Sequence, residues 1–187
     1  NSVSILNKIG LSSIDTKEFS NPSNLNFYSS DNHKICDLNL SRFNSEEFKY
    51  TTLKRSVLIE FLKNKLFANN LRFGKEVKKI SKIKEKLLIN FKDNTNDLVD
   101  FIVVSDGVFS NTKSIVENKS IQPVYNGSIA IRTILKNLPE SNYDKNSISL
   151  IMLKNAHIVI YPINKKGELN VVCIIRQKLS NNIDLKA

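Results

Sequence analysis

The stretch Asp100-Phe-Ile-Val-Val-Ser-Asp106-Gly107-Val-Phe-Ser110 decides how the chain is read. Val99 to Val104 is a near-continuous apolar run, the pattern of a strand buried on both faces. It runs straight into Asp106-Gly107. A buried strand ending there would set a carboxylate at its C-terminal edge, where open α/β sheets gather their ligands. Gly107 would allow a tight turn or a close backbone approach. Ser110 is placed to cap a following helix or to donate to a phosphate. Asp-Gly after a strand is also ordinary turn chemistry, so the neighbouring segments decide its meaning.

Immediately upstream, Lys75 to Lys92 reads KEVKKISKIKEKLLINFK. Its pattern predicts two strands, Val77 and Ile80 lying before a turn near Lys84-Glu85-Lys86. Leu87, Ile89 and Phe91 then alternate with Leu88, Asn90 and Lys92, the period of a half-buried strand. The lysines fall on the wet face. Asp93 to Asn96 makes the next turn. Before this meander, Leu53 to Leu66 predicts a helix with Leu58, Phe61, Leu62 and Leu66 on one stripe. Thr51 and Thr52 are capping candidates, and Arg55 or Ser56 equally marks a start.

Further out, Val3 to Leu11 reads as the end of a helix stopped by Gly10. Leu25 to Leu40 reads as a hairpin broken at Ser29-Ser30-Asp31-Asn32. Downstream, strands are predicted at Ser128–Ile134, Ser147–Leu153, Ile158–Pro162 and Glu168–Arg176. The sum is a strand-rich α/β (α+β) chain with few helices.

The 187 residues carry 28 Lys and Arg against 18 Asp and Glu, a net charge of +10. Such a charge first suggests nucleic acid. No zinc finger, ribonucleoprotein signature or arginine-rich helix accompanies it, so no nucleic-acid partner is expected. Cys36 and Cys173 form no C-x-x-C pair, which points to a reducing cytoplasm. His33 and His157 have no partner at ligand spacing, so no metal site is expected. His33 reads as a turn residue and Cys173 as a buried small hydrophobe. The apolar runs are too short to span a bilayer.

The ordered set of motifs resembles the flavin-dependent aromatic hydroxylases, relatives of the para-hydroxybenzoate, salicylate and ubiquinone-pathway enzymes. Arg55-x-x-Leu58 opens the series, followed by a strand containing Val77. Asp100-Phe-Ile-Val-Val-Ser-Asp106-Gly107-x-x-Ser110 is similar to that family's Asp-Gly line. Pro123-x-Tyr125-x-Gly127-x-x-Ala130-x-Arg132 looks like its next strand. His157-Ile-Val-Ile-Tyr161-Pro162, then Gly167-x-Leu169-Asn170, looks like its Tyr-Pro and Leu-Asn hairpin. Ser4 to Leu11 resembles the segment that follows the first nucleotide-binding unit.

The resemblance implies FAD as cofactor, NAD(P)H as co-substrate, and hydroxylation of a small aromatic or quinone-precursor ring with oxygen. It implies part of a Rossmann-like FAD-binding domain with a β-meander over residues 1–20 and 45–120. A mixed or antiparallel substrate sheet would occupy 21–44 and 121–187. Arg55, Val77, Asp106 and Gly107 would be the cofactor-binding residues: Arg55 at the flavin's phosphate or ribityl region, Val77 near the adenine, Asp106 and Gly107 near the pyrophosphate. Arg132, His157 and Tyr161 would be the substrate-side residues. The resemblance names no catalytic base. Val104, Phe109 and Lys113 depart from the family line, which bears most on nicotinamide binding. They also motivate the alternative of a non-catalytic ligand- or partner-binding paralogue, with a basic nucleic-acid module a distant third. No G-x-G-x-x-G and no later Gly-Asp motif occurs, so an internal fragment, inactive alone, is the expectation.

Overall fold

The computed structural model describes residues 2–45, 48–67, 70–136 and 144–178. Strands dominate, as the alternating apolar patterns predict. The described chain falls into two compact units, one drawn from Asn1–Leu66 and Gly127–Leu179, the other from Phe67–Asn126.

The first unit begins with α1 (Ser2–Lys8). Gly10 follows at φ 88, the left-handed conformation that ends a helix where other residues would be strained. β1 (Phe19–Ser20), β2 (Asn24–Tyr28) and β3 (Lys34–Asn39) come next. β2 and β3 form the expected hairpin, with Asn32 at φ 65 in its turn. β4 (Thr52–Leu53) pairs antiparallel with β1 and leads into α2 (Arg55–Asn64).

The capping expectation fails. Lys54 occupies the N-cap position of α2 and offers no side-chain cap. Thr52 is taken into β4, where its hydroxyl bonds to backbone carbonyls instead. The apolar stripe of α2 is only partly used. Phe61 is buried, while Leu62 and Leu66 remain exposed.

The second unit is the meander: β5 (Val77–Ile83), β6 (Lys86–Phe91) and β7 (Asn96–Val99), all antiparallel. Ile89 and Phe91 are its buried residues, and Lys78, Lys79 and Lys82 are exposed. Lys84 and Asn94 take positive φ in its two turns. α3 (Asn111–Val116) packs against β5.

The expected buried strand over Val99–Val104 is overturned. β7 stops at Val99, and residues 100–104 pair with no strand among the described residues. Phe101 and Val103 are each 77% exposed. Apolar composition alone does not make a strand, because the backbone N–H and C=O groups need a partner ladder.

The remaining strands belong to the first unit: β8 (Ser128–Leu135), β9 (Ser147–Met152), β10 (Ala156–Pro162) and β11 (Leu169–Arg176). With β2 and β3 they build one six-stranded sheet in the order β3-β2-β9-β10-β11-β8. β2 runs parallel to β9, and every other pairing is antiparallel. Ile148, Leu169 and Val172 are the sheet's buried apolar residues, joined by Leu11, Leu40, Ile163 and the fully buried Pro22 elsewhere in this unit. Cys36 is exposed, and Cys173 is half-buried rather than fully enclosed; both are free. No helix among the described residues is long and apolar enough to cross a membrane.

Candidate functional site

The Asp-Gly segment forms a local device with clear chemistry. Ser110 is the N-cap of α3, and its Oγ accepts from Lys113 N at 2.9 Å. The Ser110 hydroxyl beside Asp106 is the main influence holding that carboxyl below the usual carboxylate range, and the Thr112 side chain adds to it. Thr112 is buried. Asp106 is therefore an ionised, acceptor-only group anchored at the first turn of α3. Gly107 sits at φ 90, and Ser110 N donates to its carbonyl at 3.2 Å. A Cβ at Gly107 would meet nothing within 4 Å. The glycine is thus required by backbone conformation, not by close packing, and its outer side is open.

Val77 and Asp106 come together. Both line a cleft of about 440 Å³ with Lys75, Glu76, Val104 and Thr112. This convergence follows from α3 packing on β5, which carries the Asp106 turn back to the start of the meander. Gly107 borders an adjoining cleft of about 280 Å³ with Asp106, Ser110 and Lys113. Lys75 is held in place by Asp93, Nζ to Oδ2 2.5 Å, and by Thr95 Oγ1 at 2.8 Å. That bond to Lys75 holds the Asp93 carboxyl well below its ordinary range.

Arg55 belongs to the other unit. It is the first residue of α2 and is exposed. Among the described residues its guanidinium takes no ion pair or hydrogen bond, so its donors stand open to a ligand.

The substrate-side residues lie on the six-stranded sheet. Arg132 faces Val172 in register, and Val172 faces Val159. Side chains two apart on a strand share a face. Val159 therefore shares its face with His157 and Tyr161, and the register puts Arg132 on that same face. Arg132 is exposed, while His157 and Tyr161 are half-buried. Tyr161 also borders a cleft of about 370 Å³ with Asn26, Tyr28, Ser149 and Ile160.

His33 stands at the exposed tip of the β2–β3 hairpin, its Nδ1 2.5 Å from Asp31 Oδ2. Among the described residues no group of three or more His, Cys, Asp or Glu is placed to hold a metal ion.

Two features escaped the sequence reading. Thr112 joins Ser110 on Asp106, and an Asp-Gly-x-x-Ser-x-Thr pattern could have signalled it. Glu168 forms an ion pair with Lys54, 2.5 Å, in which the Glu168 side chain is only 12% exposed. The Lys54 ammonium, helped by the Asn164 amide, holds the Glu168 carboxyl below its usual range. No local pattern announces a pair so distant in the chain.

No family model matches the chain, and no curated protein matches it in sequence. Solved structures do match. HpxO of Klebsiella pneumoniae, complexed with FAD and uric acid, superposes with TM-score 0.83 at 14% identity over 97% of this chain and 47% of its own. Salicylate hydroxylase in a substrate complex gives 0.76 at 15% identity over 98% and 50%. The 2,6-dihydroxypyridine-3-hydroxylase of Arthrobacter nicotinovorans gives 0.73 at 14% identity over 97% and 46%. The chain shares the fold of these proteins. It spans about half their length.

Proposed function

We propose that the chain is part of an FAD- and NAD(P)H-dependent monooxygenase that hydroxylates an aromatic or quinone-precursor ring. The observation that carries this reading is the convergence of Val77 and Asp106 on one cleft, within a fold shared with HpxO in its FAD and uric acid complex.

The side chains fit such a cofactor. Arg55 offers an open planar fork of donors, suited to phosphate oxygens or ribityl hydroxyls. Asp106 is ionised and can only accept, so it suits sugar hydroxyls better than pyrophosphate oxygens. Open space beside Gly107 leaves room for a group to approach the backbone. Val77 borders the same cleft and would contact the adenine end. FAD, when bound, supplies the oxygen chemistry, with reducing equivalents drawn from NAD(P)H. The chain's own residues bind and orient. Arg132, His157 and Tyr161, on one sheet face, would position the ring and its polar substituents. In this reading residues 1–20 and 45–120 serve the cofactor, and 21–44 and 121–187 serve the substrate. The protein works in a reducing cytoplasm.

The test is the visible spectrum of the full-length gene product, with and without added FAD. Flavin absorption bands are expected, together with NAD(P)H oxidation that rises when an aromatic ring compound is added. Arg55→Ala should weaken FAD binding about 10- to 100-fold, the range for a lost charge-assisted bond. A protein that stays colourless with excess FAD overturns the reading. One that binds FAD yet oxidises no NAD(P)H with any ring compound is the non-catalytic paralogue instead.

A further inference from the structure

Three separate bonds tie the end of β10 and the turn that follows it to the β1–β4 region, and one of them reaches Lys54, the residue before α2. Thr52 Oγ1 donates to Pro162 O at 2.5 Å. Lys165 N donates to Lys17 O at 3.1 Å, just ahead of β1, the partner strand of β4. Lys54 Nζ pairs with Glu168 Oε2 at 2.5 Å. The last of these is the least exposed ion pair among the described residues, with side-chain exposures of 27% and 12%.

Glu168 is itself held. The Asn164 amide donates to Oε2. Asn164 is buried, and its Oδ1 accepts from Lys166 N at 2.9 Å and from Glu168 N at 3.3 Å. Lys136 lies 3.7 Å from Oε1. The turn is therefore closed on itself before it reaches α2, and the carboxylate is presented at a fixed point.

Lys54 is where that fixed point matters. Its carbonyl accepts from Leu58 N at 3.2 Å, the bond that opens α2. Its side chain cannot cap the helix and is engaged by Glu168 instead. The next residue is Arg55, with its guanidinium in solvent. Holding Lys54 at both its carbonyl and its ammonium leaves the backbone of Arg55 little freedom to change direction. The gain is pre-organisation: an arginine aimed before its ligand arrives loses less conformational entropy on binding.

We propose that Glu168 is a positioning residue that, through Lys54, fixes the first turn of α2 and so the direction in which Arg55 presents its guanidinium to the cofactor. The inference rests on the flavin reading of Arg55 given above. It also links the hairpin that carries Tyr161 to the cofactor arginine, so the substrate sheet and the cofactor contact share one clamp.

The experiment measures FAD affinity by flavin fluorescence, and melting temperature alongside, on the full-length protein. Glu168→Gln should weaken FAD binding about tenfold, and Arg55→Ala about 10- to 100-fold. The double variant should bind no more weakly than Arg55→Ala alone, because Glu168 acts only through Arg55. Lys54→Arg keeps a cation opposite Glu168 and leaves Asn164 and Lys136 their carboxylate, so it should hold affinity within about threefold of wild type. If Glu168→Gln does not fold, Lys54→Met removes the same link while Asn164 and Lys136 still partner the carboxylate, and it should show the same tenfold loss.

Additive losses in the double variant would overturn the proposal, since a general structural role weakens binding whether or not Arg55 is present. So would normal affinity in Glu168→Gln and Lys54→Met beside a weakened Arg55→Ala, an outcome that leaves the flavin reading intact. Wild-type protein that binds no FAD defeats the flavin reading itself, and this inference with it.

Discussion

Phe101-Ile-Val-Val104 and Val171-Val-Cys-Ile-Ile175 are nearly interchangeable as composition, yet the chain treats them oppositely. The second lies in β11, paired on one side by β10 and on the other by β8, and Val172 within it is 7% exposed. The first pairs with no strand among the described residues, and Phe101 and Val103 are each 77% exposed. The difference lies in the neighbours. β11 follows β10 after the turn Asn164-Lys165-Lys166-Gly167, which presents it antiparallel to an existing strand. Phe101 follows β7 without a tight turn that would fold it back onto a strand, and it pairs with none even though β5 and β7 each have β6 as their one neighbour among the described residues. Apolar content nominates a segment for a strand; hydrogen bonding to a neighbouring strand makes it one.

Swapping a charge into each run tests this most severely. Val172→Asp sets a carboxylate at a position only 7% exposed, where the cross-strand Arg132 offsets part of the desolvation, and should still cost more than about 2 kcal/mol. Val103→Asp should change stability by less than about 0.5 kcal/mol, since its side chain already meets water. Urea unfolding monitored by circular dichroism reads both. Similar losses at the two positions would mean that Phe101–Val104 is covered in solution, and the contrast would collapse.

The same logic explains how much of the molecule could be read in advance. The meander and the sheet hairpins were legible because alternation and turn residues are local signals. Asn32, Lys84, Asn94 and Gly167 mark four turns in the chain, and each takes positive φ. The order of the six strands was not legible. The parallel pairing of β2 with β9 joins segments with no shared local pattern. The site divides in the same way. Asp106, Gly107 and Ser110 are close in sequence and form one capping device. The Lys54–Glu168 pair is assembled only by the fold. Thr52 misled for a related reason: its hydroxyl is engaged by the carbonyls of Ser20 in β1 and Pro162 in β10, both distant in the chain, and so caps no helix.

Two smaller substitutions carry the comparison into the meander. Phe91→Ala removes a buried ring from β6 and should cost about 3 kcal/mol, the lower range for such truncations. Leu98→Ala, at an exposed position of β7, should cost less than about 0.5 kcal/mol in the same unfolding assay. An equal cost would show that a further element covers β7. At the end of the unpaired run, Ser110→Ala removes the N-cap of α3 and should cost about 1 kcal/mol. Gly107→Ala should cost about the same, because alanine resists φ 90 even with open space around it. A neutral Gly107→Ala would show that the loop relaxes to negative φ.

The smallest effect is expected from acid, and it separates the Asp106 turn from the apolar run ahead of it. The Ser110 hydroxyl, then the Thr112 side chain, stabilises the charged form of Asp106, so its folded pKa lies below the unfolded value near ~3.9. A depressed carboxylate contributes stability that is present above the unfolded pKa. That contribution is lost as pH falls through the folded value. Protection of the α3 amides against hydrogen exchange should therefore hold constant from neutral pH down to about pH 4, after allowance for intrinsic exchange rates, and decline below it. Asp106→Asn should start from lower protection and show no such decline, because its amide does not titrate. Residues 101–104 should exchange freely at every pH, since they have no ladder to lose. A wild-type α3 whose protection is flat through the acid range would place its stability in packing on β5 rather than in the carboxylate, and Asp106 would then be free to bind a ligand without first releasing the helix.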